Sequence, residues 1–379
     1  MKVLGIIVEY NPFHNGHIYH INKAKELIHP DYTIAVMSSS FVQRGEAAII
    51  SKFDRANIAI EYGVDLVIEL PFVYAVESAD YFSKGAIELL AHIGCTDLVF
   101  GSECCDIDTF IEIANVTNNN NTYDSLVKEY MQQGLRYADA TNKALATILN
   151  KEVKTPNDLL GLAYVKEIIH NNYHIMPHCI KRTNDYHSTY LESISSATAL
   201  RTALKEGKDV NNYLPHIELY KNIYHTEDLF PYLQYILKTT SKDELASYHM
   251  VEEGIENKLL SINSNNYEEL VEACLSKRYT RPRIQRMLLH ILMKNTKEDI
   301  QTAYHLDYIR ILKMNELGRE YLNKIKKECD YKIITNFSSY HCATLDMEYK
   351  ATKLLSLLDA SVLDRELKEI PLIKEDASL

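Results

Sequence analysis

Short apolar runs alternate with segments of helical length over the first 100 residues, and this pattern limits the possible fold more than any other feature. The runs at residues 3–8, 66–70 and 97–101 lack the alternation of a strand that is wetted on one face. Such strands are typical of a parallel sheet covered by helices on both faces. We therefore predict an α/β fold. The predicted strands are 3–8, 32–37, 66–70, 97–101 and 174–181, and the predicted helices between them are 16–28, 51–61 and 78–93.

The strand pattern fades after residue 205, and charged helical periodicity follows, as in residues 267–275 and 283–292. Glycine, asparagine and proline cluster over residues 205–215, which is the composition of a connecting segment. We therefore predict two domains, residues 1–205 with the sheet and a mainly helical domain of residues 206–379.

Composition excludes several classes of protein. The 379 residues include 52 acidic and 41 basic side chains, a net charge of −11, which disfavours unspecific nucleic-acid binding but still allows a local basic patch. No stretch approaches the roughly 20 apolar residues that span a bilayer, and residues 1–9 lack the cleavage site of a signal peptide. The seven cysteines lack the spacing of a zinc site and favour buried thiols. We expect a cytoplasmic protein without membrane contact.

Residues 9–17, with the sequence EYNPFHNGH, join the first predicted strand to the first predicted helix. Ligands of open parallel sheets bind at the carboxyl ends of strands, and the unpaired N–H groups of a helix N-terminus attract anions. Gly16 lets a phosphate approach the backbone without a Cβ in the way. His14 and His17 can donate hydrogen bonds to phosphate oxygens, and loss of one such donor typically costs about 3 kcal/mol of transition-state stabilisation. We predict a nucleotide phosphate site with His14 and His17 as its catalytic residues.

Two other interpretations of these histidines stay open from the sequence. His14, His17 and His20 follow one another at intervals of three, and such a stripe can bind a metal ion. The segment can also be a capped helix start without chemistry. Gly16 and the position directly after a buried strand favour phosphate.

A second motif, ISSATALR at residues 194–201, strengthens the nucleotide interpretation. Together with residues 14–17 it resembles the His-x-Gly-His nucleotidyltransferase superfamily, in which a late Ile-Ser-Ser-x-x-Ile-Arg-like motif embraces the triphosphate. Ser196, Thr198 and Arg201 match that motif in residue type. The resemblance implies a Rossmann-like parallel sheet and contact of these three residues with ATP.

The chain also resembles one bacterial family, tRNA(Met) cytidine acetate ligase, from end to end. This resemblance implies a ligase that uses ATP, with Mg²⁺, to activate acetate as acetyl-adenylate. The acetyl group would then pass to N4 of the wobble cytidine of elongator tRNA(Met), giving N4-acetylcytidine. The shared segments are residues 5–20, 41–45, 99–103, 156–161, 181–182 and 277–286. The residues implied to bind ATP are Ile7, Val8, Glu9, Tyr10, Asn11, Pro12, Phe13, His14, Asn15, Gly16, His17, His20, Gly101, Asn157, Arg182, Ser196, Thr198 and Arg201.

Several of these positions have physical reasons of their own. Gly101 ends a predicted strand, so its backbone can pack against a flat base or ribose. Asn157 follows a proline at a predicted helix start, where its amide can reach the nucleotide, with an ordinary N-cap as the alternative. Arg182 can fork onto phosphate oxygens or form a surface ion pair. Arg44, in a glycine-bearing loop, is a weaker candidate for a carboxylate or phosphate contact.

A basic segment stands out in the predicted helical domain, because residues 276–297 contain seven basic and no acidic side chains. Phosphate contacts from such a segment give salt-dependent affinity for RNA, and Tyr279 could stack on a base. A charged helix face in plain solvent is the alternative. The predicted tRNA-binding residues are Lys277, Arg278, Arg281, Arg283 and Arg286.

The resemblance thus assigns catalysis to residues 1–205 and tRNA binding to residues 206–379. Two other functions compete with it. An adenylyltransferase that makes a dinucleotide-type product would have the same first domain but would not need the basic segment. A non-catalytic tRNA-binding protein would not need intact His14, Gly16, His17 and Arg201.

Overall fold

The computed structural model describes residues 1–118, 120–135, 137–151, 153–182 and 196–372. Its strands are β1 (Val3–Val8), β2 (Tyr32–Ser38), β3 (Phe41–Val42), β4 (Glu46–Ala47), β5 (Leu66–Leu70), β6 (Asp97–Ser102), β7 (Met176–Lys181), β8 (Tyr308–Met314) and β9 (Lys332–Ile334). Seven of these strands form one sheet in the order β7-β6-β1-β2-β5-β8-β9, and β3 and β4 form a small hairpin.

The five predicted strands are β1, β2, β5, β6 and β7, and they pair in parallel. Side chains of β2 alternate between two cores: Ile34 and Val36 belong to one core, and Ala35 and Met37 belong to the other. Burial on both faces explains why these strands are apolar throughout. The predicted α/β fold class is confirmed, with bounds that differ by one or two residues.

Helices cover the sheet and form most of the second half of the chain. Among the described residues, no helix combines the length and the apolar character that crossing a bilayer requires. The helices are α1 (Asn15–Ile28), α2 (Lys52–Glu61), α3 (Phe72–Ala75), α4 (Ala79–His92), α5 (Ile107–Thr117), α6 (Asn121–Gln132), α7 (Tyr137–Leu149), α8 (Pro156–His170), α9 (Ala197–Lys205), α10 (Phe230–Thr239), α11 (Lys242–Ser247), α12 (Ile255–Ser261), α13 (Tyr267–Cys274), α14 (Arg281–Leu292), α15 (Lys297–Ala303), α16 (Glu316–Ile325), α17 (Ala343–Leu355) and α18 (Ser361–Lys368).

Two strands of the sheet, β8 and β9, were not predicted from the sequence. β8 pairs antiparallel with β5, and β9 pairs parallel with β8. All residues of β8 are buried, including Arg310 and Lys313. Arg310 pairs with Glu69 at 2.9 Å and Lys313 with Glu369 at 2.6 Å. These two charged residues interrupt the apolar pattern that would predict a buried strand. Their burial could not be predicted, because the glutamates that pair with them are distant in sequence.

The sheet crosses the predicted boundary at residues 205–215. Strands β8 and β9 come from the second half of the chain and extend the sheet of the first half at β5. The second half is nevertheless mainly helical, as predicted. The division into residues 1–205 and 206–379 as separate folding units stays a prediction.

Candidate active site

A cleft of about 330 Å³ lies at the carboxyl ends of β1, β6 and β7. The starts of α1, α8 and α9 and the β3–β4 hairpin complete its walls, so it occupies the usual ligand position of an open parallel sheet. The predicted residues that line it are Ile7, Val8, Glu9, Tyr10, Asn11, His14, Gly16, His17, His20, Gly101, Asn157, Arg182, Ser196, Thr198 and Arg201.

Three predicted residues do not line this cleft and hold its loop in place. Phe13 is fully buried and packs edge-on against Tyr10, with the ring centroids 4.6 Å apart. The side-chain amide of Asn15 donates to the carbonyl of Asn212 at 2.9 Å. Pro12 is buried and follows a cis peptide bond. The structure therefore gives these side chains a role in positioning the histidine loop.

Backbone hydrogen bonds fix the protonation of the two motif imidazoles. Nδ1 of His14 accepts from the N–H of Gly16 at 3.0 Å, and Nδ1 of His17 accepts from the N–H of His14 at 3.2 Å. A neutral imidazole that accepts at one nitrogen carries its proton on the other. Both rings therefore keep Nε2–H as a donor, and their centroids lie 3.9 Å apart. The pair can donate two hydrogen bonds to one anionic group in the cleft.

Burial keeps these imidazoles neutral. Burial, helped by the charges of Arg182 and Arg201, lowers the pKa of His14 to about 4. Burial also lowers the pKa of His17 well below its ordinary value, with His14 as the next cause. At neutral pH the two rings are therefore uncharged donors, and the arginines carry the positive charge of the cleft.

Replacing His14 by asparagine is expected to flatten the pH dependence of stability of the unliganded protein. The unfolded chain protonates His14 near pH 6.5, whereas the folded chain does so only near pH 4. The stabilisation is therefore complete above pH 6.5 and is lost as the pH falls, by about 1.4 kcal/mol per pH unit for one proton. Urea titrations between about pH 6.5 and 4 measure this slope. The exposed His174→Asn variant should keep the wild-type slope, and an unchanged slope in His14→Asn would contradict the prediction.

The structure does not support the metal interpretation of the histidine stripe. Nδ1 of His14 and of His17 is occupied by a backbone N–H. Nε2 of His20 is covered by protein atoms and has no hydrogen-bond partner among the described residues. Among the described residues, the groups close enough to share a metal ion are Glu77–His249–His290 and Glu69–Glu348–Glu366, which do not include the stripe.

Arginines and a second helix start face the same cleft. Ser196 is the N-cap of α9 and accepts from the N–H of Ala199 at 3.2 Å. Arg201, one turn along α9, donates to the carbonyl of Asn11 at 2.8 Å. Arg182 follows β7 and packs over Gly101, where an added Cβ would lie 3.2 Å from the arginine side chain. Two helix N-termini and two guanidinium groups thus surround space for a polyanion. Ile194 and Ser195 of the second motif lie outside the described residues.

The start of α8 contributes a carboxylate that the sequence analysis missed. Asp158 is buried and accepts from the N–H groups of Glu103 and Cys104, so it holds the loop after β6. Asn157 lines the cleft, and its amide is oriented by a hydrogen bond to Glu103. The N-cap position of α8 belongs to Thr155, so the N-cap interpretation of Asn157 is wrong. This role of Asp158 was not recognisable from the sequence, because it depends on how the start of α8 packs against the end of β6.

The β3–β4 hairpin connects the cleft to the basic helix α14. Gln43, Arg44 and Glu46 line the cleft, although the sequence analysis proposed only Arg44. Arg286 donates to the carbonyl of Gln43 at 3.1 Å. Gly45 has a φ of +78°, and an added Cβ would lie 2.3 Å from the backbone nitrogen of Arg286. Only glycine allows this close approach between the hairpin and the helix.

A second cavity, of about 240 Å³, adjoins the first. Both cavities share Glu46, Thr198 and Arg201 as lining residues, and the second also reaches Arg281 of the basic segment. The structure therefore places one end of the basic segment beside the wall of the cleft.

Three arginines of the basic segment pair with acidic side chains. Arg278 lies 3.3 Å from Glu253, and Arg283 lies 3.3 Å from Glu252. Arg281 forms ion pairs with Glu268 and Glu272. The predicted stacking of Tyr279 on a base is wrong, because this ring is buried and Arg283 covers it at 4.4 Å. The segment is thus less positive than its own sequence indicates.

Comparison with known proteins decides the family of the chain. Residues 1–369 match the family model described as HIGH Nucleotidyl Transferase. The tRNA(Met) cytidine acetate ligase of Anoxybacillus flavithermus is 40% identical over 98% of this chain and 100% of its own length. That of Bacillus subtilis is 38% identical over 94% of this chain and 92% of its own length. The chain belongs to the tRNA(Met) cytidine acetate ligase family.

Solved structures agree with this membership in the ligase family. The apo crystal structure of Thermotoga maritima TmcAL superimposes with a TM-score of 0.91, at 32% identity, over 98% of this chain and 99% of that chain. Its complex with alpha-thio ATP superimposes with a TM-score of 0.89 at the same identity and coverage. The fold described here is therefore the fold of a relative that binds an ATP analogue.

Proposed function

We propose that this protein is an ATP-dependent ligase that acetylates N4 of the wobble cytidine of elongator tRNA(Met), with acetate as the acetyl source. Membership in the family supports the overall activity. The site observation that carries the proposal is the pair of neutral imidazole donors, His14 and His17, facing Arg182 and Arg201 across one cleft. That arrangement suits the α-phosphate of ATP, where charge develops during attack.

The reaction proceeds in two steps in this cleft. An oxygen of acetate attacks the α-phosphorus of ATP, the bond to pyrophosphate breaks, and acetyl-adenylate forms. N4 of the cytidine then attacks the acetyl carbonyl, the bond to AMP breaks, and N4 loses a proton. The protein's part in the first step is to align the reactants and neutralise charge. The proposed mechanism includes no covalent acyl-enzyme.

We expect Mg²⁺ to bind to the triphosphate of ATP, since this ion usually binds to proteins through substrate phosphates. One oxygen of each cleft carboxylate accepts a hydrogen bond from the protein: Oε1 of Glu9 accepts from the N–H of Gln43 at 2.8 Å, and Oε1 of Glu46 accepts from the amide of Gln285 at 3.2 Å. Neither belongs to the described groups that could share a metal ion. The residues present therefore fit a magnesium ion that is delivered with ATP.

We expect the enzyme to act on tRNA in the cytoplasm.

Mass analysis of tRNA(Met) after incubation with enzyme, ATP and labelled acetate tests the function directly. The expected result is one labelled acetyl group on the anticodon cytidine. Pyrophosphate exchange into ATP, with acetate present, tests the first step alone. A product that retains AMP would instead favour an adenylyltransferase. If the protein binds tRNA without modifying it, and shows no pyrophosphate exchange with or without tRNA, a non-catalytic binding protein would be favoured.

Replacing Lys277 and Arg278 together by alanine is expected to weaken tRNA binding and to reduce its salt dependence. Both side chains are exposed, and the slope of log affinity against log salt should fall by roughly 0.7–0.9 for each phosphate that the variant no longer neutralises. Filter binding at several salt concentrations measures this slope. Arg286 is a poorer test, because its contact with Gln43 also holds the cleft wall.

A matched control for this pair is Lys326→Ala with Lys327→Ala, which removes two exposed charges from the end of α16. We expect these changes to leave the slope at the wild-type value. If the wild type, the Lys277/Arg278 variant and the control show the same salt dependence of tRNA binding, the basic segment is a solvated, ion-paired surface without a role in binding.

A further inference from the structure

The second step of the proposed reaction requires a group that accepts a proton from the cytidine amine. His14 and His17 cannot serve, because each carries its free proton on Nε2 and acts as a donor. Nε2 of His20 and the hydroxyl of Tyr10 also line this region, but both atoms are covered by protein and out of reach of a substrate. Among the described residues, the carboxylates that line the cleft belong to Glu9 and Glu46.

Glu46 is poorly placed for this task. Its Oε1 accepts from the amide of Gln285 at 3.2 Å, and its Oε2 lies 3.8 Å from Nη2 of Arg201. Both oxygens therefore face groups of α14 and α9. Glu9, in contrast, directly follows β1 at the carboxyl edge of the sheet, in the loop that carries His14.

The carboxylate of Glu9 is held on one oxygen. Its Oε1 accepts from the N–H of Gln43 at 2.8 Å. Its backbone carbonyl accepts from the guanidinium of the buried Arg55 at 2.6 Å, which fixes the main chain at this point. No described residue donates a hydrogen bond to Oε2. One oxygen is thus positioned and the other is available to a ligand.

We infer that Glu9 is a catalytic residue of the acetyl-transfer step, whose Oε2 binds the exocyclic amine of cytosine and accepts its proton. A carboxylate is the group that reads the N4 amine of cytosine in nucleic-acid complexes. As N4 bonds to the acetyl carbon, its proton moves to Glu9 and the C–O electron pair leaves with AMP. The inference rests on the proposed function and assigns Glu9 to the second substrate instead of to ATP.

The surroundings of Glu9 shift its pKa in the direction that strengthens a general base. Burial raises its pKa above the ordinary value, while Arg44, Arg55 and Arg201 oppose that rise. The hydroxyl of the buried Tyr164 of α8 also interacts with the charge of Glu9. The rate of acetyl transfer should therefore increase as the pH rises through a pKa that lies above 4.5.

The test is Glu9→Gln, which keeps the size of the side chain and an oxygen for the N–H of Gln43. Pyrophosphate exchange with acetate should fall far less than acetyl transfer, because the inferred role of Glu9 belongs to the second step. Single-turnover acetyl transfer to tRNA should fall by about 10²–10⁴-fold, the usual contribution of a general base, and should lose its dependence on pH. Glu9→Asp should recover part of the transfer rate. Glu61→Gln, an exposed change at the end of α2, is the matched control and should behave as wild type.

Two outcomes would overturn the inference. Normal acetyl transfer by Glu9→Gln would exclude a proton acceptor at this position. A parallel loss of exchange and transfer, with tRNA binding and thermal unfolding unchanged, would assign Glu9 to acetate activation. Absence of exchange in the wild-type protein, by contrast, would refute the proposed function itself and not the role of Glu9 alone.

Discussion

Replacing His14 and His17 together by alanine is expected to lower the rate of acetyl-adenylate formation by about 10²–10³-fold or more. Each imidazole offers one Nε2–H donor to the cleft, and removal of one such donor commonly costs 10²–10³-fold in rate. The two rings touch and cap one helix, so their effects need not add. Pyrophosphate exchange with acetate measures the loss, since it reports the first step without tRNA.

Two variants separate chemistry from structure in this experiment. His14→Asn keeps a side chain that can accept from the N–H of Gly16 and so preserves the start of α1, but it lacks the imidazole donor. It should lose activity while α1 stays folded. His174→Ala removes an exposed histidine and should keep the wild-type rate. Near-normal exchange by the double variant, or an ATP complex with the triphosphate away from α1, would refute the assignment.

Replacing Lys52 by methionine is expected to lower the free energy of unfolding by about 3–5 kcal/mol. Nζ of Lys52 is buried among three carboxylates, at 3.0 Å from Glu348, 2.9 Å from Glu366 and 2.5 Å from Glu69. Arg310 pairs with Glu69 and Glu366 in the same cluster. Loss of the ammonium leaves Glu348 without its ion-pair partner and leaves Glu69 and Glu366 to share Arg310, and the cost arises from this uncompensated buried negative charge.

Denaturant titration at neutral pH measures this effect. Lys23→Met removes one half of an exposed pair with Glu26 and should change the unfolding free energy by less than about 1 kcal/mol. Equal stabilities of Lys52→Met and Lys23→Met would show that the buried cluster contributes nothing beyond a surface pair. Burial, together with the charges of Glu69 and Glu366, raises the pKa of Glu348 to about 7, so part of the negative charge is already neutralised at that pH.

The same cluster explains why the two halves of the chain share one sheet. Lys52 and Glu69 belong to the first half, whereas Arg310, Glu348 and Glu366 belong to the second. Breaking the cluster should therefore loosen β8 from β5 before it affects the pairing of β1 with β2. Buried ion pairs, as well as the pairing of β5 with β8, therefore connect the predicted catalytic half with the predicted tRNA-binding half.

The loop of the candidate site, residues 9–17, was predictable as a junction of strand and helix because its signals are close in sequence. An apolar strand, a glycine and two histidines within residues 3–17 define a strand end and a helix start, and these local elements form from short-range preferences. The same holds for Ser196, Thr198 and Arg201 at the start of α9. The role of Asp158 was not predictable, because its partners are the N–H groups of residues 103 and 104, on another strand end.

The sequence by itself determined the parallel strands, the helices between them and the capped start of α1 at His14, because hydrophobic period and capping act over a few residues. Only the tertiary structure decided that β8 and β9 extend the sheet, that the β3–β4 hairpin docks on α14, and that glutamates pair with three arginines of the basic segment. Those features depend on contacts between residues far apart in the chain. A charged side chain such as Arg310 reveals that it is buried only when its partner is in place.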